Sequence, residues 1–105
     1  MNNYIVNWSD GSSQQNFLVT ADSFGSCVDV VMQKKAETGN ILSIYNTNLS
    51  IDKNLGPFVY YVKMTSGSEF YITSENWNSA KDWVYEALGS SVDTITGMGM
   101  EYLTF

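Results

Sequence analysis

Glu75, Asp82, Glu86 and Cys27 are the side chains whose type and spacing could do chemistry in this sequence. Asp82 and Glu86 stand one helical turn apart, with Glu75 near the same face. Paired carboxylates can exchange protons with a substrate or hold a hard cation. Both uses need more than the pair, namely a carboxylate across a cleft or an Asp-rich loop, and the sequence carries neither. The pair therefore reads as a solvated helix face with contact residues for a partner. Cys27 follows Ser23, a candidate helix cap, by four residues, where a helix N-terminus can lower a thiol pKa. It also lies on the apolar stripe of its helix, and Ala80 holds the matching place in a second helix, so Cys27 reads as a small core residue.

What is missing restricts function further. There is no histidine, and the 5 basic residues are all lysines, against 11 carboxylates and a net charge of -6. Imidazole bases, Ser-His and Cys-His nucleophiles and histidine-ligated metals are excluded. A lone cysteine makes neither an intrachain disulfide nor a cysteine-rich zinc site. Without arginine there is no bidentate fork for phosphate or guanine, and a -6 chain is repelled by nucleic-acid backbones. The expectation is a non-enzyme with no cofactor, no metal and no nucleic-acid partner. The N-terminus lacks a basic, then apolar, leader, and no apolar run approaches the roughly 18 residues needed to span a bilayer. A cytoplasmic protein without membrane contact is expected.

The elements that must position these residues come in two sets. Tyr4–Ser12 matches Tyr60–Ser68 in register, and Phe17–Phe24 matches Phe70–Trp77. In each set an alternating apolar strand runs into a turn, Asp10-Gly11 or Ser66-Gly67, and a return strand follows. Ser23 and Asn76 are matched N-caps, while Gly39 and Gly89 are placed to end the helices. Final strands are expected over 41–51 and 94–105, with 52–57 as a short linker. The predicted fold is a single α+β domain, 1–105. Tandem β-β-α-β repeats, 1–51 and 58–105, pack two helices on antiparallel sheet.

Each predicted helix is apolar over about 200° of its surface, more than burial against one sheet requires. Trp83 and its counterpart Val30 occupy one flank, and Tyr85 and its counterpart Met32 the other. With Asp82 and Glu86 these residues form the candidate interaction surface, since aromatics and methionine are enriched where proteins meet. Met98-Gly99-Met100 is a lesser candidate that reads as core filling.

The function expected is a small acidic protein–protein interaction module, a homodimer with a protein partner of basic character. The alternative is a small-molecule module with an aromatic pocket between the repeats. The arginine-free, asparagine-rich composition tilts the first toward an accessory or inhibitory protein of bacterial or bacteriophage type.

Overall fold

The computed structural model describes residues 1–35 and 39–105. The elements are β1 (Asn2–Ser9), β2 (Gln14–Ala21), α1 (Phe24–Lys35), β3 (Asn40–Asn46), β4 (Ile51–Asn54), β5 (Phe58–Met64), β6 (Glu69–Ser74), α2 (Trp77–Leu88) and β7 (Val92–Leu103). Seven strands and two helices give the α+β class expected, but the antiparallel sheet expected is corrected to a mixed one, since β2–β7 and β4–β6 pair in parallel. Among the described residues no helix is long and apolar enough to cross a membrane. The chain divides into two compact units, residues 1–48 with 100–105, and residues 49–99.

In the first unit the strand order is β3-β1-β2-β7, the last contributed by the C-terminal end of β7. The β1–β2 hairpin forms because Asp10 and Gly11 build its turn. The Asp10 carboxylate accepts the Ser12 and Ser13 N–H groups at 2.9 and 2.8 Å, and Gly11 takes a φ of 94°. Strand β3 runs antiparallel on the other side of β1, with a bulge opposite Asn7/Trp8. Phe17, Leu18 and Val19 pair in parallel with Glu101, Tyr102 and Leu103. Alternation along β1 and β2 sends Tyr4, Val6, Trp8, Phe17 and Val19 to one face, where α1 covers them with Cys27, Val30 and Val31. Ser23 caps α1 by accepting the Ser26 N–H at 3.1 Å.

In the second unit the order is β7-β5-β6-β4. Gly67, with a φ of 94°, turns the β5–β6 hairpin. Tyr60, Val62, Phe70 and Ile72 form the sheet side of a core that Ala80 and Val84 of α2 complete. Strand β4 pairs in parallel with β6, with a shift between Ile51 and Lys53.

Two further expectations need correction. The strand expected over 41–51 stops at Asn46, because the Asn46 side chain takes the Asn48 N–H at 2.9 Å. Asn48 itself turns to a φ of 61°, which asparagine tolerates. The chain then re-enters sheet at Ile51, so the first half of the expected linker 52–57, residues 52–54, is strand β4. Residues 36–38, the approach to the expected cap Gly39, lie outside the described residues.

Candidate interaction groove

Helix α2 is the element that organises the site. Asn76 accepts the Ser79 N–H at 2.8 Å at its start, and at its end the Gly89 N–H donates to the Tyr85 carbonyl at a φ of 56°. Between these caps Ala80 and Val84 face the core. Trp83, half-buried, packs its ring against the edge of that core and leaves one side toward solvent. Asp82 and Glu86, on the outward side of α2, are exposed.

Strand β4 closes the opposite wall. The Thr73 hydroxyl of β6 donates to the Lys53 carbonyl at 3.1 Å and meets the Asn54 side chain at 3.0 Å, and the Leu55 N–H bonds the Thr73 carbonyl at 3.3 Å. Gly56 then passes so close to the Ser74 backbone that a β-carbon would overlap it. Only glycine allows that approach.

A groove of about 380 Å³ results. Ser79, Asp82, Trp83 and Glu86 of α2 line one side, and Lys53, Leu55, Ser74 and Glu75 the other. The Lys53 ammonium lies over the Trp83 ring, 4.8 Å from its centroid, a cation–π contact. It makes no ion pair with Glu75, Asp82 or Glu86; among the described residues, Lys35–Glu101 is the recorded salt bridge. The groove therefore presents three carboxylates, one ammonium and an indole. Among the described residues no three Asp, Glu or Cys side chains gather as a metal ion would need.

Three of the six candidate surface residues, Asp82, Trp83 and Glu86, come together in this groove. Tyr85 is exposed outside it, on the flank of α2 that carries Lys81 and Trp77. Met32 is exposed on α1, in the first unit. Val30 is a correction: it is fully buried with Cys27 and Val31 in the first core. Its short branched side chain fits beneath α1, where the much larger indole at the matching position of α2 has to reach past the core edge. Met100 is buried, as core filling predicts, while Met98 is partly exposed. Cys27 has no solvent exposure, and burial pushes its thiol up to about 11.

Sequence reasoning missed Lys53 and Leu55 as site residues because both were read as linker. With Lys53 between Asp52 and Asn54 the segment shows no apolar alternation, so no local signal marked it as a strand. Comparisons with protein-family models, with curated proteins and with solved structures found no match.

Proposed function

We propose that this chain is a non-enzymatic interaction module that holds a basic segment of a partner protein in the groove between α2 and β4. The observation that carries this reading is the surplus of carboxylate. Glu75, Asp82 and Glu86 surround a half-exposed indole with one lysine among them, in a chain whose net charge is -6. Complementary charge steers a basic segment toward such a site, and desolvation against Trp83 holds it there. At about 380 Å³ the groove admits one or two side chains rather than a folded surface.

The test is titration of the full chain with a blocked octapeptide of mixed lysine and arginine. Binding should quench Trp83 and weaken as salt rises. The double variant Asp82→Asn, Glu86→Gln should bind about tenfold or more weakly while keeping its circular dichroism, because both side chains are exposed. Equal affinity for the variant and the original would sink the proposal.

We infer also that residues 1–51 and 58–105 are copies of one β-β-α-β motif. In each, the first hairpin strand borders the strand that follows the helix, and the second takes a parallel neighbour. The rings of Tyr4 and Phe24 meet at a tilt with centroids 4.9 Å apart, and those of Tyr60 and Trp77 likewise at 5.8 Å, pairs at matched positions. Five core positions support this reading, Val6 with Val62, Phe17 with Phe70, Val19 with Ile72, Cys27 with Ala80 and Val31 with Val84, while Val30 and Trp83 differ.

A further inference from the structure

We infer that the groove selects arginine over lysine, and that an arriving guanidinium displaces Lys53 from the face of Trp83. This rests on the proposal that a basic segment docks here and names the side chain that docks. Lys53 already occupies the ring, with its ammonium 4.8 Å from the centroid. The chain itself thus demonstrates that this face receives a cation, and none of the three groove carboxylates pairs with it.

The two cations differ in what they can do at this place. An ammonium is a compact, strongly hydrated point charge, so over the indole it keeps its water and reaches no second partner. A guanidinium is flat and weakly hydrated. It can lie parallel to the indole while its N–H fork points outward in the same plane. Asp82 and Glu86, one turn apart and on either side of Trp83 in sequence, are spaced to receive that fork. A lysine entering the groove would merely exchange one ammonium for another. An arginine adds charged hydrogen bonds that Lys53 does not make.

Lys53 is therefore a resident competitor. It shields the indole when no partner is present, and its removal frees the face. Trp77 supplies a control within the same molecule. Its ring is covered by Lys81 at 5.6 Å but lies outside the groove, so a non-specific cation effect should move both indoles.

The test is a titration of the indole N–H resonances of the full chain with acetyl-Arg-Arg-amide and, separately, acetyl-Lys-Lys-amide. The Trp83 signal is assigned from Trp83→Phe. Trp83 should shift with the arginine peptide at an affinity about tenfold above the lysine peptide, with Trp77 and Trp8 unmoved. Lys53→Met should tighten arginine binding about two- to fivefold, the equivalent of one exposed cation–π contact. Equal affinities at Trp83 would overturn the choice of arginine and leave the basic-partner proposal standing. Weaker arginine binding by Lys53→Met would overturn the displacement. No shift of Trp83 with either peptide would remove both.

Discussion

Gly39 lies against the indole of Trp8 so closely that a β-carbon there would overlap the ring. Trp8 is buried in the first core and cannot swing away without opening a void. Gly39→Ala should therefore lower stability by about 1–3 kcal/mol in urea denaturation, the range for overpacking a filled core. Cys27 makes the complementary case of a side chain protected from chemistry. A thiol at about 11 and without exposure should not react with a disulfide reagent at pH 8 until the protein unfolds, when labelling becomes complete. The linkage sign follows: the folded thiol binds its proton more tightly, so its contribution holds below the ordinary thiol value and is lost as pH rises toward 11. Asp10 runs the other way. Its backbone bonds from Ser12 and then Ser13 lower its pKa, so the stability it lends the turn is present above the ordinary carboxylate range and lost as acid protonates it. Asp10→Asn should be less stable than the original at pH 7, and the gap should narrow in melts at pH 2–3.

At the scale of the element, helix caps were the most legible feature and strand ends the least. Ser23 and Asn76 accept the N–H groups of Ser26 and Ser79, as side chains of that type before an apolar-periodic run should. Asn76→Ala should cost about 1 kcal/mol, and thermal melts of the variant will read it. The break at Asn46 was hidden because the residues on either side of it keep a strand-like alternation. What ends β3 is a side chain competing for the Asn48 N–H, a local geometry that periodicity does not register. The same blind spot concealed the wall of the groove. Three of the eight groove residues, Asp82, Trp83 and Glu86 of α2, follow from helical spacing, but Lys53 arrives through a parallel pairing with β6 that no local signal specifies. Gly56 offers a direct test of that wall. Gly56→Ala forces a β-carbon onto the Ser74 backbone, which cannot give as a flexible side chain could. The variant should lose the Lys53–Trp83 contact, seen as a changed Trp83 indole shift, with a smaller effect at Trp77.

For the whole molecule, the consequential element is β7, because Val92–Gly99 belongs to one compact unit and Met100–Leu103 to the other. The two cores share no residue, and the C-terminal end of β7 supplies three supports to the first alone. Leu103 is buried in that core, Glu101 holds Lys35 at 2.6 Å, and the Tyr102 hydroxyl donates to Thr20 at 2.8 Å. Lys35 also lies over the Phe17 ring at 5.0 Å, so its ion pair is anchored on a buried aromatic. Leu103→Ala removes the apolar support and leaves the polar ones, at a cost of about 2–5 kcal/mol for a buried leucine. If each unit stands on its own core, that loss should be unevenly felt. Native-state amide exchange should quicken across β1, β2 and α1 while β5, β6 and α2 keep their protection. Val84→Ala, a truncation within the second core, should give the reverse pattern. Equal acceleration in both sets by either variant would mean that the chain opens as one cooperative body, and that separate cores do not make separate folding units.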